Sequence, residues 1–231
     1  MSSFMLKIVA IVSMTIDHVG FSIFPQYKLL RIIGRIAMPI FSFQVALGFK
    51  KTSSQPKYML RMLIFAIISE IPYLLLHQSS ISQSFTIASL LGSVSFKNFE
   101  LDICFTFLYA LIVLWLLDKA KKSKIMYLPA LYLILLSSLI PMDYDILGVL
   151  WVVTFYYCQD NRFLYTILLT CISVIDVILL KSSVLQLYML IALILLYFYN
   201  GNKGKGVKYL FYIFYPLHMF LIVLMKMWFF T

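Results

Sequence analysis

Charge is what this sequence has least of. Of its 231 residues 12% are charged, where an average soluble domain carries about 25%. Such a surface would not keep a soluble fold of this length in water, and no segment between the apolar runs is long enough to bury a core of its own. Acidic groups are scarcest: 9 Asp and Glu stand against 19 Lys and Arg, for a net charge of +10. The cations lie in short stretches between apolar runs, which is the positive-inside pattern of a membrane protein, so nucleic acid is not an expected partner. Cysteine is sparse too. Cys104, Cys158 and Cys171 sit in apolar segments without metal-ligand spacing, and read as core fillers. No repeat of 20–50 residues and no low-complexity tract occurs, which counts against a transporter built from symmetric halves. The run NGNKGKG at 200–206 matches no phosphate-loop pattern and reads as a solvated turn. No small-residue cleavage site follows the apolar N-terminus, so it is expected to stay as a membrane span.

What is abundant is hydrophobic residue: 63% of the chain. Hydropathy divides it into nine predicted helices, at 4–24, 29–49, 58–77, 101–118, 125–140, 145–159, 163–180, 185–200 and 208–230. The expected fold is all-α and polytopic: one domain over 1–231, a bundle of about nine transmembrane helices. The count runs from seven to ten with the treatment of the short fifth and sixth, which form either a tight hairpin or a partly re-entrant unit. The basic segments KKTSSQPK, KAKKSK and NGNKGKGVK fall on one side. Only Lys28, Arg31, Lys97, Lys181 and Lys226 fall on the other, and Arg35 lies within a span. That asymmetry predicts a cytoplasmic N-terminus and an outward C-terminus. The longest connection, 79–100, is rich in Ser and Gln and reads as a lid or a polar linker.

The informative residues are the ionisable ones inside the spans, since a charge at membrane depth is costly and persists where it pairs or faces water. Asp17 and His18 stand side by side in the first predicted helix, His18 roughly 18 Å along it from Leu6 at 1.5 Å per residue. Arg35, Glu70, Asp176 and His218 come from four further helices, and all fall between the midplane and the outer third. A shared depth is expected of groups that meet in one pocket. Helix breaks flank two of them, at Pro72 beside Glu70 and Pro216 beside His218, while Tyr215 shares a face with His218 at i, i+3. Histidine takes and returns a proton near neutral pH, and a carboxylate orients it. Adjacent helical residues point about 100° apart, so the carboxylate at His18 is Asp17, Glu70 or Asp176. The alternative reading is structural, with Arg35 pairing Asp17 or Glu70 to lock helices, Asp176 packing or lining, and His77 an interfacial residue.

Read in order, MTIDHVG, LRIIGRIAMPIFSF, RMLIFAIISEIP, MDYDILGVL and FYPLHMF resemble the TraX family, named for a conjugation protein that acetylates the N-terminus of F-type pilin. The resemblance covers nearly the whole chain. The family's IDHIG falls on Ile16 to Gly20, and its GRIAFPIF on Gly34 to Phe41 with Met38 for Phe. The E-x-P element falls on Glu70 and Pro72, a DYG-like element on Asp143 and Tyr144, and YPxH on Tyr215, Pro216 and His218. One departure is Asp102, near where the family carries Asn.

The resemblance implies a membrane-embedded acyltransferase, similar to multispanning enzymes of the bacterial cytoplasmic membrane that use acyl-CoA. It implies acetyl-CoA as donor, no metal, and an exported peptide, pilin or surface glycan as acceptor. Acyl transfer needs a base at the acceptor and a positive or hydrogen-bonding group at the carbonyl oxygen. His18 is the expected base or acyl carrier, oriented by Asp17 or Glu70, and Arg35, Tyr215 or His218 the oxyanion contact. Asp143, Tyr144, Tyr215 and Asp176 are the expected substrate contacts. The donor's phosphates are expected near Lys50, Lys51, Arg61, Lys119 or Lys208. A proton-coupled transporter and a non-catalytic accessory factor use the same charges differently, and remain the alternatives.

Overall fold

The computed structural model describes residues 1–77, 100–205 and 208–230; the side chains of 206–211, 230 and 231 are not described. The predicted connection 79–100 falls almost entirely on residues 78–99, outside the described residues.

Nine helical segments stand among the described residues. They are α1 (Ser3–Ser22), α2 (Lys28–Lys51), α3 (Gln55–His77), α4 (Ile103–Ala120), α5 (Lys124–Leu136), α6 (Asp145–Cys158), α7 (Arg162–Leu179), α8 (Val184–Tyr197) and α9 (Lys208–Phe230). Six are long and apolar enough to cross a membrane: α1 to α4, α7 and α9. The termini follow local chemistry. Ser2, Asp102 and Asn161 cap α1, α4 and α7, each side chain accepting from a first-turn N–H. Inside α2, Pro39 has no N–H for the carbonyl of Arg35 and crowds it. The helix accordingly breaks into Lys28–Gly34 and Ala37–Lys51, with Arg35 at the break.

Exposed faces are apolar, as a bilayer solvent demands. On α3, Leu60, Ile64, Ile67 and Ile71 point outward, while Met62, Ala66, Ser69 and Tyr73 are buried. Polar contacts sort the helix ends into two groups. At the basic end, Lys50 pairs with Asp160, Gln55 bonds Asp118, and Lys121 reaches both Asp118 and Tyr156. There too the Met1 amine donates to the Phe198 carbonyl, and the amides of Ser3 and Phe4 donate to the carbonyls of Asn202 and Lys203. Successive helices run alternately to and from this end.

The two short helices differ in place. α5 is peripheral, with Leu128 and Leu131 more than half exposed. α6 is the centre of the bundle: Val149, Trp151, Val152 and Phe155 have no exposure at all. It packs on the second half of α2, on α4 and on α7. At 14 residues it is about 21 Å long, short of a ~30 Å hydrocarbon core. The chain before it folds into the protein instead. Leu101 N–H donates to the Pro141 carbonyl (2.9 Å) and Asp143 N–H to the Leu101 carbonyl (2.8 Å), so the start of α4 pairs with the approach to α6. Irregular backbone of this kind is tolerated in a membrane bundle where protein covers it.

Candidate functional site

The α1–α2 contact is made by glycine. A Cβ on Gly34 would lie 2.1 Å from Asp17 Oδ1 and 2.2 Å from Asp17 Cβ. Only a residue with no side chain lets the Asp17 carboxylate enter against α2. Once there, Asp17 Oδ2 accepts from Arg31 Nη1 at 2.5 Å, and Oδ1 lies 3.5 Å from Arg35 Nη2. Arg31 and Arg35 are four residues apart on one helix face, and both aim at the same carboxylate.

Arg35, placed at the break in α2, is 7% exposed. Its Nη1 donates to Tyr144 Oη (2.8 Å) and to Gln186 Oε1 (3.3 Å) of α8. Tyr144 takes a left-handed conformation, φ 64°, which is unusual for a bulky aromatic and is held only by surrounding structure. Here Thr106 Oγ1 holds the preceding carbonyl, that of Asp143, at 2.6 Å. Asp143 lies between α5 and α6. Burial, then the neighbouring Glu100 carboxylate, pushes its carboxyl up to about 8, while Arg35 pulls it down.

His18 meets His218 of α9, not a carboxylate. Its Nδ1 lies 2.8 Å from His218 Nε2, with the rings parallel within 8°. His218 Nδ1 lies 3.0 Å from the Phe214 carbonyl. A carbonyl only accepts, so His218 carries its proton on Nδ1, and its Nε2 accepts. His18 must then donate from Nδ1, which assigns it the tautomer with a lone pair on Nε2. The second histidine thus takes the orienting role expected of Asp17 or Glu70.

A cavity of about 80 Å³ is lined by Asp17, His18, Arg31, Arg35, Asp143, Tyr144 and Tyr215, and by His77, whose ring packs at a tilt against Tyr73 and Phe21. Tyr215 packs on His218. Two guanidinium groups face the Asp17 carboxylate, whose Oδ1 accepts no hydrogen bond, while burial holds Asp143 toward its neutral form, so the cavity favours developing negative charge. Of the sequence-predicted residues, Asp17, His18, Arg35, Asp143, Tyr144 and Tyr215 line it, and His218 backs it. Glu70 and Asp176 do not line it. Glu70 Oε2 accepts the Asp102 N–H at 3.1 Å, while Asp102 accepts from Ser69 (2.6 Å) and caps α4. Asp176 is buried at the end of α7, and its Oδ2 finds no protein partner. Arg31 and His77 are the ionisable lining residues that the sequence reading set aside, as an external cation and an interfacial residue; the signal for Arg31 is the i−4 spacing from Arg35.

Comparison with known proteins agrees with the motifs. The family described as TraX protein matches residues 2–226. A probable fimbrial assembly protein FimC, serogroup H1, of Dichelobacter nodosus is 28% identical over 244 residues, covering 98% of this chain and 96% of that one. An uncharacterized protein RP591 of Rickettsia prowazekii (strain Madrid E) is 32% identical over 117 residues, 48% of this chain and 45% of that one. No solved structure matches.

Proposed function

We propose, from the premise that this chain belongs to the TraX family, that it is a membrane-embedded acyltransferase moving an acetyl group from acetyl-CoA to an exported acceptor. The observation that carries the reading is the His18–His218 pair in a cavity shared with two arginines. The tautomer it enforces leaves His18 Nε2 as a neutral base. An acceptor amine or hydroxyl gives its proton to that nitrogen as it bonds to the thioester carbonyl carbon. The C–S bond then breaks, and the proton passes from His18 to the departing thiolate. Arg31, Arg35 and Tyr215 are the groups that meet the carbonyl oxygen as it becomes anionic. Asp17 holds the two guanidiniums in place.

In this reading the basic end faces the cytoplasm of a bacterial cell, and the acceptor arrives from the opposite side. The fimbrial name of the Dichelobacter relative supports a pilin or other secreted peptide ahead of a glycan. The test is direct. Purified protein in lipid is given labelled acetyl-CoA and a panel of peptides with free N-termini. Wild type is expected to transfer label, and His18→Gln to lose transfer at unchanged melting temperature. Wild-type protein that neither transfers nor hydrolyses the thioester, or a fully active His18→Gln, sinks the reading.

A further inference from the structure

A second cavity, of about 380 Å³, adjoins the first. Met14, Phe41, Ile103 and Tyr215 line both, so the two meet at these four side chains, with His18 in the smaller one, and together they make up a passage. At its other extreme stand Lys7, Lys203 and Lys205. These are not the lysines that sequence reasoning favours for a donor. Lys50 is paired with Asp160 and Lys119 lies over Trp115. The 198–205 segment instead folds back on the start of α1 through backbone hydrogen bonds to residues 1, 3 and 4, which carries Lys203 beside Lys7. Gly204 makes that approach possible: φ is +72°, and a Cβ there would meet Phe4 Cβ and Ser2 Oγ at 2.8 Å.

The Lys7 and Lys203 ammonium groups repel one another and Lys205 lines the same cavity, an arrangement that suits a polyanion. The walls between them and His18 are mostly apolar and aromatic, and Gln44 is the amide among them. Gln44 accepts from Ser3 Oγ at 2.7 Å and leaves its buried Nε2 without a hydrogen-bond partner. A buried amide donor left unmade is costly, and it suits a ligand that brings amide carbonyls. Length agrees. Lys7 precedes His18 by eleven residues on α1, about 16 Å of helical rise. From phosphorus to sulfur, phosphopantetheine runs about thirteen bonds, or ~15 Å extended.

We propose that this passage is the donor channel: Lys7, Lys203 and Lys205 hold the phosphates of a coenzyme A thioester, and Gln44 donates to an amide of its pantetheine arm. The identity of the donor rests on the acetyl-transfer reading. The shared chemistry, a phosphate head on a linear chain, also describes an anionic lipid, so the experiment separates the two. The full chain is placed in phosphatidylcholine nanodiscs, and binding of labelled acetyl-CoA is measured for wild type, for Lys203→Glu with Lys205→Glu, and for Gln44→Leu. The double reversal sits on an exposed turn, and Gln44→Leu keeps side-chain size, so melting temperatures serve as the folding control. Expected are at least a tenfold loss of acetyl-CoA binding in the double reversal, with the weak binding of phosphate-free S-acetyl pantetheine unchanged, and a severalfold loss of both in Gln44→Leu. Binding indifferent to both variants overturns the channel. Displacement of acetyl-CoA by phosphatidylglycerol at equal affinity assigns the lysines to lipid and overturns it as well. Lysine-dependent binding without any transfer leaves the channel standing and removes the acyltransferase reading; transfer with a donor KM unmoved by both variants does the reverse.

Discussion

Gly34→Ala is the sharpest test of how the site is built. Gly34 closes the first half of α2, where alanine is favoured over glycine by at most about 1 kcal/mol, so an unobstructed site would not lose stability. Here the added methyl would sit 2.1–2.4 Å from three atoms of Asp17, none at the end of a long flexible side chain. Either α1 and α2 separate, or Asp17 leaves its contacts with Arg31 and Arg35. Overpacking costs ~1–3 kcal/mol, and parting a buried ion pair ~3–5 kcal/mol. The cheaper route sets the cost, so a net loss of about 1–3 kcal/mol is expected. At ~2–4 °C per kcal/mol for a chain of this size, the melting temperature should fall by roughly 2–12 °C in one detergent or nanodisc condition. The decisive measurement is the same substitution in an Asp17→Gly background, where the obstructing atoms are gone. There Gly34→Ala should turn neutral or stabilising. A wild-type background in which Gly34→Ala stabilises, or a penalty that persists unchanged without Asp17, refutes the packing argument.

His218→Phe keeps a flat ring but removes the acceptor for His18 Nδ1–H; kcat should fall about tenfold, the worth of one hydrogen bond of ~1.4 kcal/mol, with the donor KM unchanged in steady-state assays. Asp102→Ala should lower stability by about 1–2 kcal/mol, through loss of the α4 cap, whereas Asp102→Asn should melt like wild type, since Oδ1 still accepts from Cys104 and Phe105 and the new amide can donate to Ser69. Asp143 titrates upward on folding, to about 8, so the folded state holds its proton more tightly than the unfolded one. Stability should therefore fall as pH rises from about 4 to about 8, and Asp143→Asn should flatten that slope in melts across the range.

The nine helices were legible because hydropathy reports them directly, and observed ends differ from the expected ones by only a few residues. The break in α2 was not expected from the continuous apolar run at 29–49, although Pro39, which lacks the N–H for the Arg35 carbonyl, accounts for it. Depth along a helix was legible too, but not the direction a side chain faces. Asp17, His18, Arg35 and His218 agree in depth and in direction, and they meet. Glu70 agrees in depth only: it turns to the start of α4, where the Asp102 amide needs an acceptor. Asp176 ends in a turn at the close of α7. Arg31 escaped because its position near a helix start made it look like one more external cation, although Asp17 needed a partner and Arg35 already marked the face. The left-handed Tyr144 had no local signal; a side-chain contact from α4 and the centrality of α6 impose it.

The two imidazoles that define the cavity lie 200 residues apart in the chain. During synthesis His18 is laid down 200 residues before His218. Until α9 docks, His18 Nδ1 has no fixed acceptor and its tautomer is not set. The cavity is therefore completed only when α9 docks, and a chain that stops short of α9 carries His18 without a fixed proton position.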